Sequence, residues 1–212
     1  MKDAPNHRVP QAVADAFVAS QKQGTLAAYA EGGFPRLSLL PFVKDGDLIE
    51  MHCVRLDPTF QALRRNPRVT FMVSDYLGTY PSEWVDPDDG GRGSTIFRAV
   101  SFDCLAEHDT DPAAVAAGLT KLLSVYEPGA RHGTITDGEV YGARLRQLAF
   151  VRLRIVAMQA KFKIGPPGPG EKSRRANVAA QLRKRGQPGD LEAARWIDHY
   201  NGLRRDDGSW PV

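Results

Sequence analysis

The chain has 212 residues, 42% hydrophobic and 25% charged, enough apolar content for one ordinary core with a small appendage. Its apolar runs, such as 36–43, fall far short of the roughly 20 residues that span a bilayer, and its first residues lack a signal-type apolar segment, so no membrane association and a cytoplasmic location are expected. A net charge of +3 does not by itself imply nucleic acid, but lysines and arginines crowd between Arg144 and Arg185 with Glu171 the only acid among them, which suits an anionic partner or a solvated basic face.

Residues 10–22 carry Val13, Ala16, Phe17 and Ala19 at helical spacing and predict a short amphipathic helix ending near Gly24. A first strand is predicted over 25–30, a turn at Gly32-Gly33, a second strand over 36–43, a hairpin turn at Asp45-Gly46 and a third strand over 48–54. Those three read as a meander. A short helix over 58–65 and a β-branched, apolar strand over 69–74 follow. The Pro, Asp and Gly content of 76–93 predicts a long loop.

Beyond it, Ile96, Ala99 or Val100, Phe102 and Cys104 predict a strand over 95–106, and Val115, Leu119, Leu122 and Leu123 a helix over 112–126. A last long strand is expected over 148–158. After it comes Lys161-Phe-Lys-Ile164, in which a period of two puts both lysines on one side and Phe162 and Ile164 on the other. Gly165-Pro-Pro-Gly-Pro-Gly170 cannot hold regular structure, and helices are expected over 171–185 and 191–203, the second with Trp196, Ile197 and Tyr200 at packing spacing. Six or so strands with interspersed helices predict an α+β fold built on a small antiparallel barrel, residues 1–165, followed by a Pro/Gly linker and C-terminal helices, residues 166–212, packed on the barrel or on a dimer partner.

Polar groups cluster where the third strand runs out, which suggests an anion-binding corner. Cys53 and Cys104 lie in apolar strand patterns without metal-type spacing and read as buried free thiols. Asp88, Asp89, His108 and Asp109 read as turn residues rather than a metal site. No nucleophile elbow, His/Cys pair at useful spacing or His-Glu-x-x-His sequence is present, so any chemistry would belong to a cofactor.

The order Gly24-Thr-Leu, Pro35 to Pro41, His52-Cys-Val-Arg55-Leu-Asp-Pro58-Thr-Phe60, Asn66-Pro-Arg-Val, Tyr80-Pro-Ser-Glu-Trp84 and Lys161-Phe-Lys resembles the PaiB-type FMN-binding negative transcriptional regulators. That family belongs to the flavin-binding split barrels, with the pyridoxamine phosphate oxidases, and the similarity covers roughly residues 10–185. It implies an antiparallel split β-barrel of the FMN-binding type and a homodimer that places FMN at the subunit interface. Carried over residue by residue, it sets Leu37, Ser38 and Leu39 beside the ring, His52, Cys53 and Val54 along the cofactor, and Arg55 on the phosphate. Arg36 is a further suitable type, and Lys161 and Lys163 match the family's Lys-Phe-Lys near the same pocket. Tyr80 and Trp84 either shape that pocket or pack the loop. The family's Pro-Thr-Trp-Asn-Tyr segment is replaced here by Ser94-Thr-Ile-Phe-Arg98, so a polar contact is missing.

The implied function is an FMN-dependent oxidoreductase of an unknown small substrate. The alternatives are a flavin-responsive transcriptional regulator that contacts DNA through the cationic helix after residue 171, and a haem-binding split barrel using His52 or His132 on iron.

Overall fold

The computed structural model describes residues 9–129, 131–167 and 172–204. In chain order the elements are α1 (Gln11–Ser20), β1 (Gln23–Tyr29), β2 (Pro35–Pro41), β3 (Val43–Asp45), β4 (Leu48–Val54), α2 (Pro58–Arg65), β5 (Arg68–Tyr80), β6 (Ser94–Asp109), α3 (Pro112–Tyr126), α4 (Gly142–Leu145), β7 (Leu148–Lys163), α5 (Lys172–Arg185) and α6 (Asp190–Leu203). The strands form one open antiparallel sheet in the order β2-β1-β5-β6-β7-β4-β3. Among the described residues, no helix is long and apolar enough to cross a membrane.

The three strands expected as a meander do not form one. β2 pairs with β1, and β3 pairs with β4, so the run 35–45 supplies both terminal strands of the sheet. The break falls at Phe42. Its ring is buried and meets Phe71 edge-on at 5.1 Å, and its backbone leaves the ladder for the Tyr126 hydroxyl. That hydroxyl accepts from the Phe42 N–H at 2.8 Å and gives its own proton to the carbonyl of Phe42 or of Lys22. One phenol thus replaces the strand partners that Phe42 gives up.

Two other expectations are corrected. The loop expected from residue 76 begins only after Tyr80, because β5 continues: Leu77 and Tyr80 are both buried. Gly78, at φ 144°, lets the buried side switch from odd to even positions there, a conformation that side chains disfavour. The remaining loop is shortened by 3₁₀ turns at Ser82–Trp84 and Gly90–Arg92. Likewise β7 does not stop near Met158 but runs to Lys163, with Phe162 buried between the two more exposed lysines as a period of two requires.

Backbone contacts divide the chain into two compact units, one of Met1–Ala16, Ser74–Val100 and Ala160–Val212, the other of Phe17–Val73 and Ser101–Gln159. In the second unit, alternation buries Leu26, Phe71, Met51, Val151 and Phe102 on one side of the strands. On the other side, α3 covers Phe150 with Val115, Ala116 and Leu122, in one cluster that also takes in Ile135 and Leu145. Gly118 permits this approach, since a Cβ there would stand 2.3 Å from the Phe150 ring. Lys121 of α3 also pairs with the buried carboxylate of Glu50 on β4 and with Asp45 at 3.0 Å. In the first unit, α5 and α6 bury Val178, Leu182, Ala193, Ala194 and Ile197.

Candidate functional site

The corner where β4 runs out is built by α2. Asp57, just before Pro58, caps this helix: its Oδ1 accepts from the Thr59 N–H at 2.7 Å and the Phe60 N–H at 3.4 Å. Ser38 of β2 reaches the same group, with its hydroxyl 2.7 Å from the Thr59 hydroxyl and 3.3 Å from Asp57 Oδ1. The expected anion-binding corner therefore already holds an anion, the chain's own carboxylate, at the positive end of a helix. Ser38 is engaged there rather than free for a ligand.

The other residues predicted on β2 and β4 divide by strand alternation. Register pairs Leu39 with Thr25 and Thr25 with Met72, and Leu37 with Ala27 and Ala27 with Thr70, so Leu37 and Leu39 share one face, where both are exposed. Arg36 and Ser38 lie on the opposite face. Arg36 lines a cleft of about 500 Å³ with Tyr29, Glu31, Gln61, Arg65 and Asn66, between the β1–β2 hairpin and α2. Arg65 is held by Glu31 at 3.0 Å. Arg36 has no hydrogen-bond or ion-pair partner among the described residues.

On β4, Cys53 points into the barrel core and His52 and Val54 to the other side. Burial first, and the Asp57 charge second, push the Cys53 thiol up to about 12, so it is inert at neutral pH. Cys104 is likewise a buried free thiol, raised to about 12 by burial and then by Asp103. His52 is partly buried, its Nδ1 has no partner among the described residues, and burial lowers its pKa, so the ring is neutral. Arg55 is exposed and turns to the segment before β7: its N–H donates to the Gln147 carbonyl at 2.8 Å and its Nη1 to the Arg146 carbonyl at 3.2 Å. The structure thus brings Ser38, Asp57 and Thr59 together and sets Arg36 on the neighbouring cleft, while Arg55 faces the 146–147 backbone.

Lys161 and Lys163 belong to the first unit, where Lys161 lies 5.9 Å from the centroid of the Phe97 ring. There Trp84 packs the loop against α5: its carbonyl accepts from Asn177 at 2.7 Å and Arg185 lies 5.0 Å over its ring. Several basic residues expected on a DNA-facing helix are taken up inside the unit. Arg175 is buried, donating to Asn201 at 2.7 Å and to the Pro166 carbonyl at 3.2 Å, and Arg183 pairs with Asp198. Arg185 grips Asp190 at 2.6 and 2.8 Å and the Thr79 carbonyl at 2.8 Å, and so holds the Asp190 carboxyl below the usual carboxylate range against the effect of burial. His132 is exposed, with Nδ1 3.0 Å from the Gly133 carbonyl. Among the described residues no cluster of metal-ligating side chains forms.

Two residues went unnoticed in the sequence. Asp57 carries the usual signal of an N-cap, an acid directly before a proline at the first helical position. Arg98 sits in phase with Ile96 and Val100 on the buried side of β6, and a charge at a core position demands a partner. It is 1% exposed, its Nε donates to both oxygens of Asp75 at 3.1 Å, its Nη1 lies 3.5 Å from the Tyr200 hydroxyl, and its guanidinium stacks 3.8 Å over Trp196.

No family model and no curated protein matches the chain. Among solved structures it is similar to a flavocytochrome from Azotobacter vinelandii, with TM-score 0.62 and 22% identity over 76% of this chain and 70% of that one. It is also similar to the FAD- and haem-binding protein of Mycobacterium smegmatis, with TM-score 0.61 and 18% identity over 82% and 80% of the two chains. A conserved hypothetical protein of Mycobacterium tuberculosis gives 0.52 and 22% over 76% and 90%. At these identities the likeness is one of fold: the chain is an α+β protein, an antiparallel split β-barrel with peripheral helices.

Proposed function

We propose that this chain is a flavin-binding split-barrel protein, and that the bound flavin is FMN, as the resemblance to PaiB-type proteins implies. The observation that carries the reading is the open edge of β2 beside an uncommitted guanidinium. As a terminal strand, β2 pairs with β1 alone, so alternate residues turn N–H and C=O groups away from the sheet. Those are the donors and acceptors that a flavin ring edge needs. Arg36, in its cleft, suits a phosphate, and Arg55 keeps further N–H donors beyond the one given to Arg146. The residues present therefore fit the group, with one condition: Asp57 already occupies the α2 N-terminus, so the phosphate must rest on guanidinium.

A bound flavin supplies hydride and one-electron chemistry that no side chain here offers. The chain's own contribution is to orient and to bind: the β2 main chain fixes the ring edge, Arg36 neutralises the phosphate, and the inert Cys53 forms no adduct. Oxidation or reduction of a small substrate is the activity this supports. A homodimer belongs to the same reading, because exposed Leu37, Leu39 and Met72 form an apolar strip that a second copy would cover.

The test is the absorption spectrum of the purified protein, followed by titration with FMN, FAD and riboflavin. Wild type is expected to be yellow or to take up FMN, and Arg36→Ala to bind FMN about tenfold more weakly while riboflavin, which has no phosphate, is unaffected. Colourless protein that gains no flavin ends the proposal. A second reading, haem binding, is favoured by neutral His52, whose Nδ1 has no partner among the described residues, and by the similar structures described as a flavocytochrome and as an FAD- and haem-binding protein. Added haemin would then give a Soret band that His52→Ala abolishes.

A further inference from the structure

The second unit carries another cavity, of about 600 Å³, on the outward face of β1, β5 and β6. Strand alternation decides what it presents. Ala27 and Tyr29 of β1, Arg68 of β5 and Leu105 of β6 point outward, and Val156 of β7, 62% exposed, also lines it, so the lining is mostly apolar. Two charges stand in it. Asp103 accepts from the Thr70 hydroxyl at 3.3 Å. The Arg68 N–H is tied to Asn66 at 3.0 Å, but its guanidinium has no partner among the described residues.

An uncommitted, five-donor cation beside apolar walls selects an organic anion with an apolar body. The Asp103 carboxylate in the same groove works against a dianion, which favours a carboxylate or sulfonate over a phosphate. Tyr29 lines both this groove and the Arg36 cleft, so the occupants of the two would be neighbours. We propose that the groove binds a flat apolar monoanion, and that it is the substrate seat beside the flavin. The second half of that statement rests on the flavin reading above; the first does not.

Isothermal titration of the full chain with 2-naphthoate tests it, with 2-naphthylmethanol as the neutral body and naphthyl phosphate as the dianion. One naphthoate per chain is expected, bound about tenfold more tightly than the alcohol and about tenfold more weakly by Arg68→Gln. Asp103→Asn is expected to narrow the preference for naphthoate over the phosphate. Val156→Glu, a change at an exposed position, is expected to lose naphthoate with its circular dichroism unchanged. No binding by the wild-type chain, as a second copy seated in the groove would produce, overturns the site, as does equal affinity in Arg68→Gln. Naphthoate binding by a protein that takes up no flavin keeps the site and overturns its role as substrate seat; flavin uptake without naphthoate binding overturns the site and leaves the flavin reading standing.

Discussion

His52 shows how a single residue in a strand acquires a pH dependence. Burial disfavours the imidazolium, so its folded-state pKa lies below the unfolded value of 6.5. The unfolded chain then binds the proton more tightly than the folded one. The stability that neutral His52 confers is fully present above about 6.5 and is lost as pH falls below it toward the folded value. Urea midpoints are therefore expected to fall between pH 7 and pH 5 in wild type and to fall less in His52→Leu; equal slopes in the two proteins would assign the acid sensitivity to other groups. At this scale the sequence was informative about type and less so about partners. That Cys53 would be withdrawn from water followed from the strand pattern, whereas the partial burial of His52, on the other face of β4, did not. That Ser38 would be occupied by Asp57 and Thr59 did not, because 19 residues separate Ser38 from Asp57 and only the fold sets β2 against α2. Arg98 was readable in principle, from a charge in phase with Ile96 and Val100, but its partners Asp75 and Trp196 were not.

Elements were legible where their periodicity was clean. Alternation marked β6 and most of β7, and helical spacing marked α3 and α6. The misreadings share one cause: local chemistry resembled a boundary, or concealed one, while tertiary contacts decided the outcome. Within 36–43 only Pro41, which cannot donate to a ladder, hints at a break before Phe42, and the partner that makes the break tolerable, Tyr126, is 84 residues away. Tyr126→Phe tests this account. It removes the acceptor of the Phe42 N–H at a residue only 4% exposed, and an orphaned buried donor costs about 1–3 kcal/mol. The unfolding free energy from urea denaturation is expected to drop by that amount, seen as a lower midpoint with the m-value unchanged. A change below about 0.5 kcal/mol, within the range of ordinary surface substitutions, would mean that the hydroxyl does not hold the junction of β2 and β3.

At the scale of the whole molecule, charge is the property that the sequence most easily misleads on. Lysines and arginines crowd the C-terminal half, yet Arg175, Arg183 and Arg185 are taken up by contacts within their own unit, so the crowding overstates what a polyanion would meet. Arg98 is the extreme case. Its guanidinium joins Asp75 of β5, Trp196 and Tyr200 of α6, and so fixes the last helix to the strands of its unit. Burial alone would pull its pKa down, but Asp75 and Tyr200 outweigh burial and leave it raised, so the side chain is charged and depends on its partner. Removing one member of such a pair costs about 3–5 kcal/mol, whereas replacing both by apolar groups is often neutral. Asp75→Leu is accordingly expected to lower the urea midpoint strongly, and Arg98→Met with Asp75→Leu to recover most of the loss, because methionine keeps a side chain packed against Trp196 without the orphaned charge. If the double variant is instead less stable than Asp75→Leu, the guanidinium is favourable even without Asp75, and its contacts with Trp196 and Tyr200, not the ion pair, hold α6.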